Sequence, residues 1–111
     1  MGETQRRKAA NEAGFREVNE RIEALQHGFA LAEREPLRIV CECDRLDCTQ
    51  RVEISVEDYE DVRSRADQFV VVPGHVDDGV EDVVHTRSGY LVVRKRAGDP
   101  RAVAERTDPR S

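Results

Sequence analysis

At 111 residues and 12.6 kDa the chain allows one small domain, and 38% hydrophobic residues with a mean hydropathy of −0.70 leave little apolar material for a core. A net charge of −5 and a pI near 5.2 provide no general attraction to polyphosphates, which sets nucleic acid aside as a partner. The basic residues near the N-terminus lead into no apolar run, and nowhere does an apolar stretch of roughly eighteen residues occur, so the expectation is a cytoplasmic protein without a membrane segment.

From Arg6 to about Glu35 the sequence is helical in character, with Phe15, Val18, Ile22, Leu25 and Phe29 recurring every three or four residues. Glu17 stands four residues before Arg21, the favourable order for an exposed ion pair. Gly14 and Gly28 weaken the two ends, which confines the well-formed helix to Ala13–His27. The stripe is expected to lie on the sheet that follows. The alternative is that the same five residues serve self-association or a protein partner.

Pro36 ends the helix and Leu37 to Cys41 begins a strand, with Leu37, Ile39 and Cys41 on one face. Arg51 to Ile54 alternates polar and apolar residues as a second strand, so the two pair as a hairpin whose loop carries the thiols. Ser55 caps a short helix from Val56 to about Arg65, with Glu57 and Asp58 in its first turn. Phe69 to Val72 is the most continuous β-branched run and is expected to be the central strand. Pro73-Gly74 stops it. Val80 to Thr86 reads as a strand, or a helical turn passing into one, and Tyr90 to Lys95 returns after Arg87-Ser88-Gly89. The paired acids at 77, 78, 81 and 82 read as a solvated turn. Beyond Arg96 the composition predicts a flexible tail with at most one helical turn, Ala102–Glu105. The organisation is thus a helical segment over 1–35, an α+β domain over 36–96 and a tail over 97–111. The predicted fold is α+β, an N-terminal amphipathic helix and one short second helix on a small, mainly antiparallel sheet with a metal-binding loop at its end.

All three cysteines fall within Cys41-Glu42-Cys43-Asp44-Arg45-Leu46-Asp47-Cys48. An odd count without a secretion signal argues against a disulfide framework and for a metal or redox role in a reducing compartment. Cys41 and Cys43 point to one side of the extended chain, and the acidic turn brings Cys48 back. His75, at the Pro-Gly turn, is the candidate to complete a tetrahedron, and zinc suits such a set. His85 and His27 are weaker candidates, and Asp44 or Asp47 could supply an oxygen instead. Free thiols, or a redox or iron–sulfur role, are the alternatives to zinc.

The three cysteines and one histidine resemble the ligand set of the CDGSH iron–sulfur proteins, but those place their histidine a few residues after the last cysteine, where this chain has Thr49-Gln50-Arg51. Across most of its length the chain resembles a group of small proteins from high-GC Gram-positive bacteria. The resemblance rests on Asn11-Glu12 with Phe15 to Ile22, on Cys41-Glu42-Cys43 with Asp47-Cys48, on Pro73-Gly74-His75 and on Gly89 to Val93. It implies a compact shared design and a bacterial cytoplasm, and no mechanism. A glycine often follows the second cysteine in such clusters, where this chain has Asp44.

Catalysis is disfavoured: the chain has no glycine-rich phosphate loop, no His-x-Glu before the cysteines and no nucleophile elbow. The leading expectation is a zinc-stapled binding or regulatory module contacting a protein partner. A thiol-based redox sensor that releases zinc on oxidation is the second reading, and an enzyme of unknown type the third.

Overall fold

A computed structural model describes residues 2–27 and 35–110. Its elements are α1 (Glu3–His27), β1 (Leu37–Val40), β2 (Arg51–Ile54), α2 (Val56–Arg63), β3 (Gln68–Val71), β4 (Glu81–Arg87), β5 (Tyr90–Lys95) and α3 (Asp99–Arg106). The class is α+β, as the sequence predicts, with a third helix and with two small antiparallel sheets in place of one.

β1 and β2 form the expected hairpin, pairing Leu37 with Ile54 and Ile39 with Val52. The second sheet has the order β3-β5-β4, so β5 and not β3 is central. The run at 69–71 is fully buried because both faces of its sheet are covered: Val70 and Val92 pack with Leu37, Ile39 and Tyr59, while Phe69, Val71 and Val93 pack with Cys41, Cys43 and Ala104. A continuous apolar run is what such a doubly covered strand requires, whatever its place in the order. The free side of β3 meets the end of β1, where the Glu42 N–H donates to the Val70 carbonyl at 2.7 Å. α2 begins as predicted, with the Ser55 hydroxyl accepting from the Asp58 N–H at 3.0 Å.

α1 departs from expectation in two ways. It runs unbroken from Glu3 through Gly14, whose cost of about 1 kcal/mol within a helix is tolerated. More consequentially, the face it buries is polar: Glu12, Arg16, Asn19 and Glu23 follow at spacings of four, three and four, and each is at most 5% exposed. The apolar stripe lies beside that face. Ile22 packs against the core, but Val18 is 42% and Leu25 70% exposed. Phe29 and Gly28 lie outside the described residues, as does the side chain of His27. A polar face can be buried because its groups find specific partners. Arg16 donates to the carbonyls of Ala66 at 2.5 Å and Ala104 at 2.7 Å, and its guanidinium lies 4.4 Å from the centre of the Phe69 ring. Glu12 and Glu81 accept from the Lys95 ammonium at 2.5 and 2.7 Å. Glu81, read as part of a solvated turn, is therefore a buried ion-pair residue at 2% exposure.

The stretch expected to be a loose tail contains α3. Pro100 sits in its first turn, where a missing N–H costs nothing, and Ala104 packs into the core beside Phe69. Beyond it the Arg110 guanidinium donates to Glu20 at 2.8 Å, Glu23 at 3.0 Å and both oxygens of Glu60 at 2.9 Å. The C-terminal stretch is thereby tied to α1 and α2.

Candidate metal centre

Cys41 extends β1, its N–H donating to the Gln50 carbonyl at 3.0 Å. The alternation of an extended chain then sends Cys41 and Cys43 to one side, both 1% exposed, and Glu42 to the other, at 0%. The chain turns back with the Cys48 N–H on the Arg45 carbonyl at 3.2 Å, which returns the third thiol. His75 arrives from the end of β3. Gly74 takes a φ of 89°, in the left-handed region that glycine enters freely, and the His75 N–H closes the turn onto the Val72 carbonyl at 3.1 Å. Arg45 ties the two segments together by donating to the Gly74 carbonyl at 2.9 Å.

The outcome is a single cluster, in which one ligand atom from each of Cys41, Cys43, Cys48 and His75 lies within 4.8 Å of every other. The His75 Nδ1 is 3.7 Å from the Cys41 sulfur and 3.5 Å from the Cys48 sulfur. A tetrahedral zinc with bonds of about 2.3 Å to sulfur and about 2.0–2.1 Å to nitrogen sets those atoms about 3.5 Å apart. The donor set and the His75 distances therefore suit a metal ion. His85 lies exposed on β4, outside the cluster, and the exposed Asp47 is outside it too. Asp44 faces away to Lys8, 3.7 Å from its ammonium.

The electrostatics of the thiols agree with that fit. Cys43 is pulled down to about 5, first by the hydrogen bond from Cys41 and, against its burial, by the Arg45 N–H and the neighbouring His75 and Cys48. Cys41 is pushed up by the same pairing with Cys43 and by burial, and Cys48 is pushed up chiefly by burial. One negative charge is thus accommodated and the next two are resisted, which is the condition a bound cation relieves.

Comparison with family models, with curated proteins and with solved structures finds no match. The site is therefore read from its own surroundings, which include residues the sequence reading passed over. The Val72 N–H donates to the Cys41 sulfur at 3.2 Å. Asn11 donates to the carbonyls of Cys43 at 3.2 Å and Arg45 at 3.1 Å. Between Cys41 and Cys43, the Glu42 carboxylate accepts from Asn19 at 2.8 Å, the Tyr59 hydroxyl at 3.0 Å and the Val70 N–H at 2.9 Å. Burial pushes the Glu42 carboxyl up, against the pull of those donors. A signal for these residues exists in the sequence. Asparagine is a poor helix former that competes for backbone groups, so Asn11 and Asn19 inside a helix point to partners elsewhere. Glu42, one step from both cysteines, must face opposite to them.

Beside the centre lies a cleft of about 250 Å³ lined by Lys8, Glu12, Asp44, Asp77 and Lys95, with Ala9, Val80 and Pro100 among its apolar walls. No helix among the described residues is long and apolar enough to cross a membrane.

Proposed function

We propose that the chain is a non-catalytic zinc-binding module of the bacterial cytoplasm, in which Cys41, Cys43, Cys48 and His75 hold one structural zinc ion. The observation that carries this reading is the spacing of the four ligand atoms, with His75 Nδ1 3.5 and 3.7 Å from two sulfurs. Thiolate and imidazole together select zinc over harder-ligand metals, and four protein ligands leave no open position for substrate. The zinc closes the 41–48 loop onto the β3 turn and adds binding energy to a domain with little apolar core. The task of the module is contact with a protein partner, or with a second copy, through Phe15, Val18, Ile22, Leu25 and Phe29. Support for that surface is the exposure of Val18 and Leu25, which follows from α1 burying its polar face instead.

Elemental analysis of protein purified from reducing buffer tests the metal: about one zinc per chain is expected for a four-ligand site. A folded, metal-free protein would sink the reading, and a coloured preparation containing iron and sulfide would replace zinc by a cluster. Cys43→Ser should lose the metal, while Asp47→Ser should keep it.

A redox-sensing role is the second reading, favoured by Cys48, the one thiol of the three that is not fully buried. Peroxide would take two electrons from two thiolates, forming a disulfide and water, and the ligand set would release its zinc. Retention of zinc under mild peroxide would leave the structural role alone.

A further inference from the structure

We propose that the metal centre is also a latch for α1, so that zinc occupancy and docking of the helix are coupled. The inference rests on the zinc reading above and concerns how that same site is regulated.

Six residues, Val40 to Arg45, contain two of the four ligands, and α1 grips that segment at both ends. Asn19 exchanges two hydrogen bonds with the Val40 backbone, both 2.8 Å, and donates a third to the Glu42 carboxylate at 2.8 Å. Two turns earlier Asn11 donates to the carbonyls of Cys43 and Arg45, at 3.2 and 3.1 Å, and the Lys8 ammonium lies 3.7 Å from Asp44. The carbonyls that receive Asn11 belong to a loop outside any helix or strand, held by its ligands, by the Cys48 N–H on the Arg45 carbonyl and by the Arg45 contact with Gly74. Without the ion the loop loses the constraint that holds Cys43 and Arg45 together, and Asn11 loses its acceptors.

Much of the remaining α1 contact is polar, beside Ile22 on the core and Arg16 over the Phe69 ring. Among the described apolar residues of the stripe only Ile22 packs on the core, and further anchors are ion pairs and hydrogen bonds through Glu12, Arg16, Glu20 and Glu23. When such a helix leaves, its charged groups regain hydration, which offsets part of the cost of breaking these bonds. Once free, the helix loses the tertiary contacts that supply most of a helix's stability in proteins, and its backbone hydrogen bonds open to exchange. Coupling is reciprocal, so a docked α1 raises zinc affinity by the factor by which zinc favours docking.

Amide hydrogen exchange of the full chain, zinc-loaded and after chelation, reads the latch directly. The expected result is exchange at least about tenfold faster in the Lys8–Asn19 part of α1 on chelation, with β3 and β5 still protected. Unchanged α1 protection in a protein shown to have lost its zinc overturns the latch while leaving the metal site intact. A protein that never binds zinc instead defeats the underlying reading. Should chelation unfold the whole domain, zinc-loaded Asn11→Ala decides. Faster exchange confined to α1, together with zinc affinity lowered about tenfold or more, is expected of a group that orients a ligand loop. No change in either quantity overturns the proposal.

Discussion

Asn19 and Glu42 meet in the buried centre of the molecule, the Asn19 amide donating to the Glu42 Oε2 at 2.8 Å, and each residue is 0% exposed. The pair links α1 to the segment between Cys41 and Cys43, and it extends through Tyr59 to α2 and through Val70 to β3. Three elements thus converge on one carboxylate.

Glu42→Ala should therefore destabilise the protein by roughly 3 kcal/mol, because it strands donors from Asn19, Tyr59 and Val70 without an acceptor. Tyr59→Phe removes one of those donors and should cost about 1 kcal/mol. The two changes touch one network, so the double variant should cost less than their sum by a margin near the Tyr59→Phe effect. Urea unfolding of the three variants measures this. Strict additivity would mean that the hydroxyl and the carboxylate act independently.

The burial pattern of α1 reverses the mutational sensitivities its sequence suggests. Leu25→Asp, on the apolar stripe but 70% exposed, should change stability by no more than about 0.5 kcal/mol. Arg16→Ala, at a charged position, should cost about 3 kcal/mol, since it leaves the Ala66 and Ala104 carbonyls unpaired and opens a void on Phe69. Thermal melts of both variants decide, and a larger effect at Leu25 would restore the apolar stripe as the packed face.

What the sequence made legible was local. Three cysteines in eight positions, a Pro-Gly turn before histidine and a serine cap are signals read within a few residues, and all recur in the structure. The β1–β2 hairpin agrees with the alternation of its two strands, as in Leu37 opposite Ile54. What escaped was set by partners distant in sequence. Arg16 is buried because carbonyls 50 and 88 residues later accept its protons, and Lys95 is buried because Glu12 lies 83 residues before it. Periodicity records where apolar residues lie, and a helix docked through ion pairs carries no such mark. α3 escaped for a related reason: Asp99-Pro100 reads equally as a breaker or as a helix start, and the apolar surface awaiting Ala104 on Phe69 decides between them.

The Lys95 cluster gives stability a pH dependence whose sign can be worked out. Lys95 has two carboxylate partners, and desolvation, only partly offset by Lys95 and reinforced by Glu81 and Asp44, pushes the Glu12 carboxyl up from 4.5 to about 8. Between those values the folded protein keeps a proton that the unfolded chain has released, so this group's contribution to stability falls as pH rises through the window. Glu12→Gln removes the titration, and burial of the thiols and of Glu81 is common to both proteins. The variant should therefore gain on the parent between pH 5 and pH 8 by at least about 1 kcal/mol, compared by urea unfolding. Parallel stability curves would show that Glu12 is charged in the fold throughout.

The turn that delivers His75 makes the last test, because two glycines with equally open surroundings should respond in opposite directions. Apart from the adjoining residues and the helix's own backbone, no atom lies within 4 Å of a Cβ built on Gly14 or on Gly74, so neither substitution is limited by space. Gly14 lies inside α1, where alanine reduces the entropy of the unfolded chain, and Gly14→Ala should stabilise by about 0.5–1 kcal/mol. Gly74 has a φ of 89°, where an L side chain is strained by about 1–2 kcal/mol. Relieving that strain in Gly74→Ala would rotate the peptide that carries both the acceptor for Arg45 and the N–H closing the turn at Val72. The His75 imidazole then shifts relative to the three sulfurs, and zinc affinity should fall roughly tenfold, a typical cost of disturbing the groups that orient a ligand. Competition against a chromophoric chelator measures the affinity, and melting of the zinc-loaded proteins measures the strain. Equal zinc affinity in the two variants would mean that the ligand position does not depend on this turn.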